Sequence, residues 1–108
     1  MIDWIRVSQL REEVGHDAFE DVVALFMEEI DAVFVALSPN SRLEEDLHFI
    51  TGSALNLGFD ALCRLCREES RKAKARGPGA VNIVALRDCY RASRSAFLDG
   101  RATWPGIR

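Results

Sequence analysis

An all-α fold is predicted for this chain: an antiparallel four-helix bundle with a short additional N-terminal helix. Three observations carry the prediction. Apolar residues recur at alternating spacings of three and four along most of the sequence, the period of a helix face, and no stretch shows the two-residue alternation of a half-buried strand. The breaks between periodic segments are short, so successive helices have to turn back on one another. The chain has 108 residues, 48% of them hydrophobic, which suffices for one domain with one core and leaves no room for a second.

Taken in order, Asp3 can cap a first short helix whose apolar positions are Ile5, Val7, Leu10 and Val14 and which ends near Gly15. Asp17, with Glu20 at the third position, is expected to open a longer helix bearing Phe19, Val23, Phe26, Ile30, Val33 and Leu37 on one face. Ser38-Pro39-Asn40 stops it, and Ser41 followed by Glu44 has the form of a capping box for a third helix. In that helix Leu43, Leu47, Ile50, Ala54 and Leu57 face a core, and Gly58 can supply the left-handed residue that ends it. Asp60 can cap a fourth, holding Leu62, Leu65, Cys66 and Ala73, which runs to Gly77-Pro78-Gly79. Asn82 can cap the fifth, with Leu86, Cys89, Tyr90, Ser93 and Phe97 on one side and Gly100 at its end. The domain thus spans 1–100, and 101–108 is expected to be a tail, either loose or laid across the helices by Trp104.

The formal charge of −3 is mild and both signs are interspersed, so neither a nucleic-acid footprint nor a membrane-binding face is expected. No apolar run approaches a membrane span, and Met1-Ile2-Asp3-Trp4 lacks the layout of a signal peptide, which makes the cytoplasm the expected location; the domain is separately expected to be a monomer. Cys63, Cys66 and Cys89 are an odd number for a disulfide framework and are read as free thiols in the core. Cys63-Arg64-Leu65-Cys66 has zinc or redox spacing, but a zinc site needs further ligands than the sequence offers nearby, and no metal is expected. The basic cluster Arg67, Arg71, Lys72, Lys74 and Arg76 falls in the last turns of the fourth helix, where cations complement the helix dipole, and reads as a solvated face near Glu68 and Glu69.

His48 is the residue that stands out. With its heptad neighbours facing the core, the imidazole turns outward, and Gly52 follows one helical turn later on the same face. Imidazole, with a reference pKa of about 6.5, offers a neutral nucleophilic nitrogen near pH 7. A glycine beside it clears space for a large partner. His16 lacks this context and reads as a capping or surface residue, while Asn56 and Gly58 read as parts of the helix ending.

The run His48-Phe49-Ile50-Thr51-Gly52-Ser53-Ala54-Leu55-Asn56-Leu57-Gly58 resembles the signature of histidine-containing phosphotransfer (HPt) domains, the carrier modules of bacterial phosphorelays. That family's pattern is approximately His-x-Leu-Lys-Gly-Ser-Ser/Ala-x-Asn-Leu-Gly on a helix of a four-helix bundle. Leu10-Arg11-Glu12-Glu13-Val14-Gly15 and Phe26-Met27-Glu28-Glu29 resemble its opening helices, so the likeness extends to about Phe97. It implies that His48 accepts a phosphoryl group from a receiver-domain phospho-aspartate and passes it to another receiver. The implied partners are response-regulator receiver domains and a hybrid histidine kinase. No intrinsic cofactor is implied, because the receiver supplies magnesium, and the chain is a carrier more than a true enzyme.

On that resemblance the docking patch comprises His48, Thr51, Gly52 and Leu55 with Glu45 at its rim, and Leu55 is an apolar anchor. Thr51 stands where the family commonly has lysine, which predicts slower transfer or a less stable phosphohistidine. The Thr51 hydroxyl is a candidate donor, Arg64 or Arg67 of the next helix a candidate source of the missing charge, and Glu44 or Glu45 a candidate partner for the ring. Two rivals share these residues: a docking module of the same fold that carries no phosphate, and a metal or redox protein built on the cysteines. No acid–base pair, nucleophile–base pair or glycine-rich phosphate loop accompanies His48, so an enzyme is the least expected class.

Overall fold

The computed structural model describes residues 1–104 and holds five α-helices: α1 (Trp4–Val14), α2 (Phe19–Ala36), α3 (Leu43–Leu57), α4 (Asp60–Arg76) and α5 (Ile83–Thr103). A single 3-10 turn, Pro78–Ala80, lies between α4 and α5, and no strand is present among the described residues. The whole is elongated, 45 × 20 × 19 Å. No helix among the described residues is long and apolar enough to cross a membrane.

The caps show where local chemistry prevailed. Asp3 Oδ1 accepts from the Ile5 and Arg6 amides at 3.1 and 3.2 Å, and Asn82 Oδ1 accepts from the Ala85 amide at 3.0 Å, as the sequence predicts. Asp17 does not open α2, which begins at Phe19 behind Ala18 in a helical conformation and has no side-chain cap. Ser41 does not form a capping box either. Its hydroxyl turns back onto the Ser38 carbonyl at 2.8 Å and lies 3.0 Å from Asp46 Oδ2, leaving α3 to start at Leu43. Asp60 is the first residue of α4, and Phe59 occupies the cap position.

Ile30, Leu47, Ile50, Leu57, Phe59, Leu62, Leu86 and Phe97 are fully buried. On α2 the buried face is Phe19, Val23, Met27, Ile30 and Phe34, with the predicted Phe26 and Val33 only half-buried. The runs Phe26-Met27 and Val33-Phe34-Val35 make that helix apolar over a wide arc, so packing chooses the neighbour of each expected residue. On α1 Val7 and Leu10 are buried, whereas Ile5 is exposed. Tyr90 ties α5 to α2, stacking on Phe34 with centroids 5.1 Å apart and donating its hydroxyl proton to Asp31 Oδ1 at 2.6 Å. Burial, seconded by that carboxylate, pushes the Tyr90 phenol well above its ordinary value. Arg87 donates from α5 to the Phe34 carbonyl at the end of α2, 2.7 Å away.

The α3–α4 turn is locked by the N-terminal segment. Asp3 N donates to Gly58 O at 2.7 Å and Asp60 N to Met1 O at 3.1 Å, around an isolated antiparallel bridge between Ile2 and Phe59. At the far end of the chain α5 does not stop at Gly100 but continues to Thr103. Gly100 serves packing instead: a Cβ there would run into the Trp4 ring, which stacks on Phe97 and tilts against Trp104 at 5.0 Å. Arg101, expected in the tail, pairs with Glu20 and covers the Phe97 ring at 5.7 Å. Trp104 is laid against the helices, and the rest of the expected tail, 105–108, lies outside the described residues.

Candidate functional site

Helix α3 carries the site because its two ends are well defined. Glu44, Glu45 and Asp46 crowd the first turn, where carboxylates complement the helix dipole, and Gly58 closes the last turn at φ 73° with its amide donating to Ala54 O and Leu55 O. Leu43, Leu47, Ile50, Ala54 and Leu57 are buried as the periodicity predicts, which aims His48, Gly52 and Leu55 outward. Leu55 is 53% exposed and Phe49 37%, so the histidine stands among apolar as well as polar surface.

Gly52 is the informative neighbour. A Cβ built there meets nothing within 4 Å, and its φ is not in the left-handed range. Neither packing nor backbone conformation calls for glycine at this point in mid-helix. A glycine there costs about 0.5–1 kcal/mol of stability relative to alanine. Asn56, a turn further on, donates to the Gly52 carbonyl at 3.1 Å and accepts from Arg6 of α1 at 2.8 Å. Its role is structural, holding α1 against the site helix.

Thr51 is half-buried and turned toward α4. Its hydroxyl donates to the Leu47 carbonyl at 2.7 Å, so the expected donor is already engaged within its own helix. Glu45 is exposed and lies 3.6 Å from Arg42 Nη1. Neither it nor Glu44 hydrogen-bonds the ring of His48 among the described residues, although Glu44 lines the same depression.

That depression, about 520 Å³ in volume, lies between α3 and α4 and is lined by Glu44, His48, Thr51, Arg67, Ser70 and Lys74. Of the two arginines expected to supply charge, Arg67 is therefore brought to the histidine. Arg64 is not: it lines no wall of the depression and pairs with Asp60 at 3.3 Å. Ser70 and Lys74 were not among the sequence-derived site residues. The signal for them was the spacing of 67, 70 and 74, one stripe of α4, once α3 and α4 are neighbours. The basic cluster is thus not a uniform solvated face. Lys72 pairs at 2.7 Å with Glu69, which is buried and accepts from the Asn82 amide at the start of α5.

The cysteines point inward. Cys63 and Cys66 are buried and Cys89 half-buried, all as free thiols. Burial pushes the Cys66 thiol up to about 12, with the neighbouring Thr51 hydroxyl opposing, and burial raises Cys89 as well. Neutral thiols of this kind are poor nucleophiles near pH 7. No group of three or more His, Cys, Asp or Glu side chains is placed to hold a metal ion among the described residues. His16, just beyond the Gly15 cap of α1, shares a hydrogen bond of 3.1 Å with Glu12 and holds that carboxyl below its ordinary value.

No family model matches the chain, and neither a curated protein nor a solved structure matches it. What the fold and site define is a class only: an all-helical domain in which a solvent-facing histidine, His48, lies beside an open glycine and a cationic helix.

Proposed function

We propose that the chain is a histidine phosphotransfer domain in which His48 accepts a phosphoryl group from a receiver-domain phospho-aspartate and hands it to a second receiver. The observation that carries this reading is Gly52. A mid-helix glycine with open space around it and ordinary backbone angles is explained by approach of a partner to the neighbouring imidazole, and by nothing in the fold. The HPt-like run around it supports the same reading, and five helices with no strand among the described residues are compatible with the antiparallel four-helix bundle and short extra helix that this reading asks for.

In the transfer, the lone pair on His48 Nε2, the ring nitrogen farther from the backbone, forms the N–P bond. The P–O bond to the receiver's aspartate breaks, its electron pair restores the carboxylate, and the proton on Nδ1 stays with the ring. Positioning and charge stabilisation dominate such chemistry, so magnesium and the acidic pocket belong to the receiver and the carrier needs only an accessible nitrogen. Docking centres on His48, Gly52 and Leu55, with Glu45 at the rim; a hybrid histidine kinase and response-regulator receivers are the partners.

The test is phosphoryl transfer from a labelled receiver with magnesium, comparing the chain with His48→Gln. Acid-labile label on the chain and none on the variant is the expected result. Absence of label from every receiver offered, on folded protein, would replace this reading with a docking module that carries no phosphate. The engaged Thr51 hydroxyl in place of a lysine is the observation that favours that second reading.

A further inference from the structure

We infer that Arg67 and Lys74, with the Ser70 hydroxyl between them, form the phosphoryl-holding wall of the His48 site, so that the charge the site needs comes across from α4. This rests on the reading of His48 as a phosphoryl acceptor. The three side chains line one depression with the imidazole and recur at spacings of three and four, which puts them on a single stripe of α4.

Two other cations of the same helix are committed elsewhere, Arg64 to Asp60 and Lys72 to the buried Glu69, and Arg71 and Arg76 lie outside the depression. Arg67 and Lys74 form no ion pair among the described residues, and both are exposed. The depression holds two cations against one carboxylate, Glu44. A phosphoryl group adds about −1.5 to −2 charges at neutral pH, which that excess of positive charge suits. On α3 itself nothing does this work, since the Thr51 proton is given to Leu47 O. Arg67 also lines the adjoining hollow beside Leu55, so it spans from the phosphoryl position to the apolar edge where a receiver docks.

The prediction is testable without any receiver. In a His16→Gln background, which leaves His48 as the sole histidine, potassium phosphoramidate charges the ring chemically. The phosphoryl group is then titrated by its 31P chemical shift between about pH 8.5 and about pH 5.5, bracketing a second ionisation near 6. Arg67→Gln with Lys74→Gln should raise the phosphoryl ionisation, its proton affinity growing by up to about fivefold for each cation removed. Arg67→Lys with Lys74→Arg should keep the wild-type curve. Arg71→Gln with Arg76→Gln, which removes as much charge from the same helix outside the depression, should leave the curve unmoved.

Superimposed curves for wild type and the Arg67→Gln, Lys74→Gln variant overturn the inference, and so does an equal shift in the Arg71→Gln, Arg76→Gln control. Glutamine is a good helix former, so circular dichroism should show all variants folded. A shifted titration with no receiver able to charge His48 keeps this inference and removes the phosphorelay. Normal transfer with superimposed curves does the reverse.

Discussion

Gly52 lies inside α3 and Gly58 caps its end, and the two are glycine for opposite reasons. At Gly58 the fold demands it: φ is 73°, and a Cβ would sit 2.5 Å from the Asp3 carbonyl oxygen, in the junction that pins the N-terminal segment to the α3–α4 turn. At Gly52 the backbone is ordinary and the space is empty. The HPt-like pattern includes both, yet only one of them can be assigned to stability. The difference teaches which part of a motif holds a helix end in place and which part keeps a surface clear.

The largest effect expected from breaking this contrast is at Gly58. Gly58→Ala must hold alanine in the left-handed region and also push its Cβ away from the Asp3 carbonyl oxygen, which breaks the Asp3 N to Gly58 O hydrogen bond, 2.7 Å in the native chain. Together these cost about 2–4 kcal/mol, read as a lower urea midpoint. A loss below about 0.5 kcal/mol, ordinary for a neutral surface change, would remove the structural assignment of Gly58.

A substitution series at Gly52 should separate fold from function. Gly52→Ala should raise stability by about 0.5–1 kcal/mol, since alanine in mid-helix loses less backbone entropy on folding. Gly52→Gln should also fold at least as well as wild type, while its side chain covers the approach to His48. Phosphoryl transfer should fall by at least about tenfold, equivalent to about 1.4 kcal/mol of barrier. Stability gained together with activity lost is the signature; unchanged transfer in Gly52→Gln would take the docking surface away from this face.

The same contrast marks what could be read from sequence. The core face of α3, the Asp3 and Asn82 caps and the Gly58 ending were legible because each depends on residues within a turn or two of one another. What failed depends on distant partners. Glu69 reads as a surface carboxylate, but it is buried because the first amide of the α5 cap and Lys72 both bind it. The rotation of α2 onto Met27 and Phe34 was hidden by contiguous apolar residues. Of the candidate site, the outward placement of His48, Gly52 and Leu55 was legible from periodicity, while their grouping as a docking patch came from the HPt-like run. The distinction between Arg64 and Arg67, and the presence of Ser70 and Lys74, required knowing which stripe of α4 meets α3.

Where the outer face of α3 is open, its inner contact with α4 is closed, and pH should expose the difference. Burial raises the Cys66 thiol from an ordinary 9.0 to about 12, so the folded chain keeps this proton where the unfolded chain gives it up. The contribution to stability is full below the unfolded value and is lost as pH rises from about 9 toward about 12, because above 9 the unfolded state binds fewer protons. Cys89 acts with the same sign through its burial, and Tyr90 joins above its ordinary 10.0. Urea midpoints should therefore decline between about pH 8.5 and about pH 10, and Cys66→Ala should flatten that decline without abolishing it. Parallel declines in the two proteins would mean that Cys66 ionises alike folded and unfolded. The seam behind Thr51 would then be wet, and the contrast between a closed inner face and an open outer face of α3 would fail.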